Sequence, residues 1–447
     1  MPACFRSSVA ALAFLFTLGL TPAVFAQQSP GNTPREAETY RQLELFARVL
    51  SYVENNYVEP VDQRKLMYGA IKGMMETLDP HTQFLSPEDF RAMKVDTTGE
   101  FGGLGIEISK REEAITVVAP LDDTPAARAG IRAGDQIVAV DGEATRGMEL
   151  AQVIRMLRGP PGKRVVLSIM REGFNSPQEI VVLRDHIRIQ SVEAKLYDGI
   201  GHVRVKNFQE RTDLSLRKEL ERLRAQNGGR ELRGLVLDLR NNPGGLLDQA
   251  VAISDRFLPA DLPIVSTRGR NGRNATEEKS RGKEAELAYP IVVLVNAGSA
   301  SASEIVAGAL QDHRRATVMG VQTFGKGSVQ TVIELEDGSG LKLTIARYYT
   351  PKGRSIQERG ITPDFLVEED AALQAKAITR EKDLDRHFKG EGPEKDPSAP
   401  ARTLPPLAAW PVAEEVKDHQ LKTALTWLHH HGQASHGRNT ASVETGR

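Results

Sequence analysis

Apolar residues recur at helical spacing across residues 36–78. Leu43, Phe46, Leu50, Val53 and Tyr57 form one stripe, and Leu66, Ala70, Met74 and Leu78 form a second. Pro60 separates the two predicted helices. Asp79-Pro80 closes the second, because a residue before proline disfavours the α region. The pair reads as a small helical arm suited to packing or self-association. Across 101–173 the pattern turns glycine-rich and alternating. Leu150, Val153, Ile154 and Leu157 mark one face of a helix there, and 164–170 reads as a strand. From about 189 to 367, apolar runs at 235–239, 291–295 and 317–321 predict strands, the first two of them covered on both faces. The first ends in Arg240-Asn-Asn-Pro-Gly-Gly245 before a helix at 246–257. The second ends in a run of small residues, 296–303, before a helix at 304–310. Strand, small-residue loop and helix in repetition predict an α/β core with its site at the strand ends. Past Asp370 the periodicity fades. Residues 390–406 read as a linker or disordered tail, followed by a short docking helix near 421–428 that carries Trp427.

The N-terminal segment reads as an address rather than a structural element. Arg6 precedes an apolar run at 9–20, Pro22 ends it, and Val24 and Ala26 suit cleavage before Gln27. An uncleaved anchor is the alternative, since 9–26 carries no charge. Export to the periplasm or cell envelope is the expectation. Cys4 is the only cysteine of the 447 residues and would leave with the signal, so a disulfide framework, a thiolate zinc cluster and a cysteine hydrolase are all excluded. Lys plus Arg is 58 and Asp plus Glu 59, a net charge of −1 that offers no general pull towards nucleic acid. His429, His430 and His431 have no acidic or sulfur ligands grouped with them and read as part of the tail, so no metal site is expected.

Gly103-Leu104-Gly105-Ile106, followed about 25 residues later by Ala129-Gly-Ile-Arg-Ala-Gly-Asp-Gln-Ile-Val-Ala-Val-Asp-Gly142, resembles a PDZ domain. That resemblance implies a loop whose N–H groups bind a peptide's terminal carboxylate, with the peptide adding as a strand beside Ile106. Glycines suit such a loop because it needs close approach and φ values that other residues avoid.

Three chemistries compete for the loop from Gly320 to Gly327. A phosphate-binding loop needs Ser or Thr after Lys326 and then a helix; Gly327 and an alternating stretch at 328–335 follow instead. A Ser-His-Asp site built on Ser301 lacks its histidine. His313 lies about 18 Å along the same predicted helix at about 1.5 Å per residue, and His81 and His202 carry no local motif. The remaining reading pairs Ser301 with Lys326. A lysine is a base only when neutral, so its pKa must fall from about 10.4 to about 7–8, which burial achieves if no carboxylate pairs with the ammonium. Residues 317–333 hold no acid and 291–303 hold no charge, in a chain that is 26% charged overall. Gln330, four residues after Lys326 on the same face of a predicted strand, is placed to accept a hydrogen bond from the amine.

The stretch from Asn296 to Asp312 (NAGSASASEIVAGALQD) and the TFGKGSVQ stretch, with the serine and lysine 25 positions apart, resemble the C-terminal processing peptidases. So do LRNNPGG, LDPHTQFLSPEDF and PKGRSIQERGITPD. The resemblance covers roughly 36–367. It implies a Ser-Lys peptidase without a cofactor, with Ser301 as nucleophile, Lys326 as general base and Gln330 orienting it. The oxyanion would be held by the N–H of Ala302 and that of Gly244 or Gly245. The resemblance also implies substrates with free apolar C-termini bound through the PDZ loop, which can gate the site. Further partners it allows are an envelope adaptor protein and a second copy joined through the N-terminal helices. The fold class expected is multidomain α/β: a signal at 1–26, a helical region at 27–95, an inserted β-rich PDZ domain at 96–185, a peptidase core at 186–370 and a partly disordered extension at 371–447. The competing class is an inactive PDZ adaptor, against which the intact Ser301, Lys326 and Gln330 argue.

Overall fold

The computed structural model describes residues 34–111, 114–369, 379–391 and 401–441. The expected signal at 1–26 and most of the expected linker at 390–406 lie outside them. The chain divides into two compact units, Met1–Met67 and Tyr68–Arg447. In the first, helix α1 (Pro34–Asn56) and the start of α2 (Gln63–Glu76) occur where periodicity placed them. The apolar stripe is open: on α1 Leu43 is 57% exposed and Phe46 41%, and Tyr57, just past the helix, is 61% exposed.

The second unit takes in the rest of α2, then strand β1 (Gln83–Leu85) and α3 (Pro87–Thr98). Ser86 Oγ caps α3 by accepting the Asp89 N–H, and Pro87 fills a first-turn position where an N–H is not needed. Strand β2 (Glu100–Gly103) then leads into a small β domain: β3 (Ile106–Arg111), β4 (Ala114–Pro120), the short helix α4 (Pro125–Arg128), β5 (Gln136–Val140), β6 (Glu143–Ala144), α5 (Leu150–Leu157), β7 (Arg164–Met170) and β8 (Gln178–Leu183). The chain leaves it by β9 (Asp185–Arg188), which pairs antiparallel with β2, so a two-stranded ribbon carries the inserted domain. The sheet order is β3-β4-β5-β7-β8, with β6 paired to β5. Alternating residues such as Val165, Leu167 and Ile169 pack on Val153 and Leu157 of α5 in a core of its own.

The remaining elements are β10 (Val192–Tyr197), β11 (Ile200–Val205), α6 (Thr212–Gln226), β12 (Gly234–Asp238), α7 (Leu247–Arg256), β13 (Pro263–Gly269), β14 (Thr276–Lys279), β15 (Ile291–Val295), α8 (Ala302–Asp312), β16 (Ala316–Gly320), β17 (Ser328–Glu334), β18 (Gly340–Tyr349), β19 (Phe365–Leu366) and β20 (Arg402–Thr403). A seven-stranded sheet runs β10-β11-β12-β15-β16-β19-β20, parallel from β11 onwards. Leu235, Leu237, Val293 and Val295 face a core with Leu220, Ile253 and Ile305 from α6, α7 and α8. Val236, Val292, Leu294 and Met319 face the other way, onto Trp410, Leu421, Leu425 and Leu428. Covering both faces explains the uninterrupted apolar runs. A second sheet, β1-β18-β13-β14 with β17 against β18, flanks it.

Within the expected extension at 371–447, the described parts include helices. A helix at His419–Ala441 and a short one at Pro411–Glu414 close the open face of the sheet. The predicted docking helix is therefore part of the core. His429, half-buried, stacks on Trp410, and His431, exposed, stacks on Trp427.

Candidate active site

Strands β12 and β15 are parallel neighbours, so the loops at their C-terminal ends meet. Side-chain amides join them. Asn241 N–H donates to Asn296 Oδ1 (2.9 Å), and Asn296 Nδ2 donates to Asn241 Oδ1 (3.0 Å). Asn242 O accepts both the Ala300 N–H (3.0 Å) and the Ser303 hydroxyl (2.9 Å), while Ser299 Oγ donates to Leu239 O (2.8 Å). Ser299 and Ser303 are thus spent on loop packing. Below the loop, Arg240 and His202 hold the Asp238 carboxyl under the usual carboxylate range, against the burial that alone would raise it. Arg240 also grips Asp418 at the start of the C-terminal helix.

Ser301 sits at the mouth of α8 with φ 55° and ψ −113°, and is 8% exposed. A positive φ on a serine costs about 1–3 kcal/mol and persists only where the surroundings impose it. The surroundings here are Gly244, whose missing Cβ would lie 2.8 Å from Ser301 Cβ and 2.8 Å from Ala300 O, and Glu304. Ala302 is the first residue of α8, where backbone N–H groups have no partner within the helix. Of the two glycines of the β12 loop, Gly244 gives its N–H to Asn242 Oδ1 (2.9 Å). Gly245 bridges to Phe208, and its N–H has no hydrogen-bond partner among the described residues.

Glu304 was absent from the sequence-derived site, and it joins the serine loop to the lysine loop. Fully buried, its Oε2 accepts the N–H of Ser301 (2.8 Å) and of Lys326 (2.9 Å); its Oε1 accepts Thr323 Oγ1 (2.5 Å) and the Gly325 N–H (2.7 Å). One carboxylate oxygen therefore joins Ser301 to Lys326. Their backbone nitrogens lie no farther apart than two hydrogen bonds end to end. Burial pushes the Glu304 carboxyl up to about 7, against the four donors that favour its ionised form. The Ser-x-x-Glu spacing of 301–304 is that of a helix capping box, the one signal that could have found it.

Burial also pulls the Lys326 ammonium down to about 8, with Lys342 pushing the same way and Glu381, Glu304 and Asp79 opposing. The acid-free stretch of sequence is therefore not free of acids in space. These carboxylates are nevertheless engaged elsewhere: Glu304 on backbone N–H groups, Asp79 on the N–H of His81 and Thr82 and the hydroxyls of Thr82 and Thr344, Glu381 on His81 and Gln357. The strand face expected to be shared by Lys326 and Gln330 is not formed. The strand begins only at Ser328, and a bulge between Val329 and Gln330 leaves Ile345 of β18 unpaired, which breaks the simple alternation. Gln330 Nε2 donates to Ser328 Oγ (2.8 Å) and Thr344 Oγ1 (3.5 Å), and among the described residues no hydrogen bond joins it to the Lys326 amine.

Among the described residues none of the three histidines is hydrogen-bonded to Ser301: His202 pairs with Asp238 (3.2 Å), His313 with Pro263 O (2.7 Å) and His81 with Glu381 (2.8 Å). In the inserted domain, Gly103, Leu104, Gly105 and Ile106 line a groove with Ile154 and Arg158 between β3 and α5. Gly105 has φ 74°, and a Cβ there would strike Thr124 at 2.3 Å, so only glycine fits the loop.

Three family models match the chain: "Peptidase family S41" over residues 199–367, "PDZ domain" over 116–171 and "Activating protease CtpB N-terminal domain" over 21–88. The carboxy-terminal-processing protease of Bartonella bacilliformis is 42% identical, over 88% of this chain and 91% of that one. The carboxyl-terminal-processing protease of Synechocystis is 40% identical over 76% and 84%, and the carboxy-terminal processing protease CtpA of Bacillus subtilis 35% over 71% and 67%. An α/β core with a PDZ domain inserted on a ribbon and a peptidase-family match makes this a serine-type peptidase. The chain belongs to the carboxy-terminal processing proteases.

Proposed function

We propose that the protein is an exported endopeptidase that cuts protein chains near their C-termini with Ser301 as nucleophile and neutral Lys326 as general base. The observation carrying this reading is the Glu304 carboxylate that binds the backbones of both residues at once, beside an amine whose pKa burial brings to about 8. Lys326 Nζ takes the Ser301 proton as Oγ attacks the peptide carbonyl. The oxyanion that forms is met by the N–H of Ala302 and of Gly245, the loop glycine whose donor is not already committed to Asn242. The Lys326 ammonium then returns its proton to the leaving amine, and water, deprotonated by the same lysine, releases the acyl group. Gln330, its nitrogen engaged by Ser328, keeps its carbonyl oxygen for the amine.

The groove at 103–106 receives the substrate's terminal carboxylate, and the extended apolar tail adds beside β3. The apolar run at 9–26 directs the chain to the periplasm or envelope. The open stripe of Leu43 and Phe46 on α1, with Tyr57 just beyond it, is the surface for a second copy of the chain.

Products of an unstructured substrate with an apolar C-terminus, read by mass spectrometry, test this. Wild type should release C-terminal fragments, and Ser301→Ala and Lys326→Ala should each slow release about 1,000-fold or more. Wild-type rates in either variant would end the reading. Ile154→Asp, in the groove, is expected to raise KM for such substrates while kcat on a short internal peptide is unchanged.

A further inference from the structure

We infer that Glu381, in a segment beyond the matched peptidase region, is a positioning residue for Lys326, acting by clamping the lysine loop from behind. The inference rests on Lys326 being the base proposed above. Residues 379–391 fold back over the loop that carries the lysine. Glu381 N–H donates to Phe324 O (3.2 Å), and Arg380 Nε donates to Thr323 O (3.2 Å). The Glu381 side chain is fully buried and receives two groups: His81 Nε2, at 2.8 Å and 3.0 Å from its two oxygens, and Gln357 Nε2, at 2.8 Å.

Gln357 passes the contact on. Its Oε1 accepts the Gly327 N–H (3.0 Å), so the N–H groups of three successive residues, Gly325, Lys326 and Gly327, are fixed by two buried side chains, Glu304 and Gln357. The second of these is aimed by Glu381. The fit is close enough to require glycine: a Cβ at Gly327 would lie 2.3 Å from Gln357 N, and one at Gly390 would lie 2.5 Å from Gln357 O. The Gln357 amide is held at both ends, by Glu381 and by the Gly327 N–H, while its backbone packs tightly on Gly327 and Gly390, so the loop has one register.

The charges facing the amine come from every side of this clamp: Lys342 from β18, Glu304 from α8, Asp79 from the turn before β1, and Glu381, which also holds the His81 ring, from the folded-back segment. His81 and Gln357 occupy the Glu381 oxygens, which leaves the lysine under the influence of the carboxylate without a hydrogen bond to it. Glu381 thereby does two things that a merely structural residue would not: it sets the direction of the loop and it contributes to the proton affinity of the amine.

The test uses full-length Glu381→Ala and Glu381→Gln beside wild type and Ser301→Ala. Steady-state cleavage should show kcat down about tenfold or more in Glu381→Ala with KM within about threefold, and substantial recovery in Glu381→Gln, whose carboxamide still accepts from Gln357. Competitive acetylation of Lys326 by acetic anhydride across pH, read by mass spectrometry, follows the amine without needing activity. Its midpoint should lie about 0.5 unit or more lower in Glu381→Gln than in wild type, because an opposing negative charge has gone. Where Glu381→Ala is unfolded, the Glu381→Gln labelling decides. A folded Glu381→Ala with wild-type kcat, or an unmoved labelling midpoint in Glu381→Gln, overturns the proposal. Wild-type cleavage by Ser301→Ala would instead overturn the catalytic reading, and the labelling midpoint would then decide the role of Glu381 by itself.

Discussion

A lysine works as a base only where its ammonium is costly, and Lys326 meets that condition while surrounded by carboxylates. Burial brings it to about 8 because each nearby acid is occupied by other donors. The cost should be visible as stability. Between about 8 in the folded protein and 10.5 when unfolded, the unfolded chain binds the extra proton, so stability rises with pH across that window. Wild type should gain about 3 kcal/mol more than Lys326→Met between pH 8 and 10.5 in urea titrations, and equal gains would deny the buried amine. Glu304→Gln puts a donor where two N–H groups or Thr323 and Gly325 already donate. It should cost about 2 kcal/mol and lower kcat about tenfold or more, checked by thermal melting and steady-state rates. At this scale the sequence points to candidates where chemistry concentrates in a short motif, as at Ser301 and Lys326. Glu304 was legible in principle from its capping-box spacing. Glu381 and Gln357 were not, because their roles arise from contacts 24 to 300 residues away along the chain.

The loops owe their shape to glycines that leave room for another backbone rather than to flexibility. Gly327→Ala would force Gln357 away from the lysine loop, and Gly244→Ala would push on Ser301 and Ala300 while holding a φ of 101°. Both should leave a folded protein by far-UV circular dichroism and reduce kcat about 100-fold, since displacing a reacting group by about 1 Å costs that much. Wild-type rates in either would mean that the loops tolerate the shift. Strands β12, β15 and β16 could be read from apolar runs because both of their faces are covered. The β17 register could not, since the bulge opposite Val329 and Gln330 has no signature in alternation. The helix at His419–Ala441 was underestimated because its neighbourhood is polar and proline-rich, while its apolar residues Leu421, Leu425 and Leu428 are few but all buried.

Across the whole second unit, the loops of the proposed site hang from a sheet closed on one face by the C-terminal helix. Ending the chain after residue 400 would uncover Val236, Val292, Leu294 and Met319 and remove Asp418 from Arg240. Such a truncation should be insoluble or melt at least about 10 °C lower, and an unchanged melting temperature would show that the helix is dispensable. The inserted domain was legible as a unit because it carries its own core; its mounting on the β2–β9 ribbon was not, since four-residue pairings leave little pattern. Whether a neutral Lys326 drives the chemistry is read most directly from the rate of Ser301 acylation against pH, in single turnovers with wild type and Lys326→Ala. The rate in wild type should climb with pH through an inflection near 8, falling about 100-fold by pH 6, with no such limb in the variant. An inflection in the histidine range, or a Lys326→Ala rate equal to wild type, would contradict a lysine base.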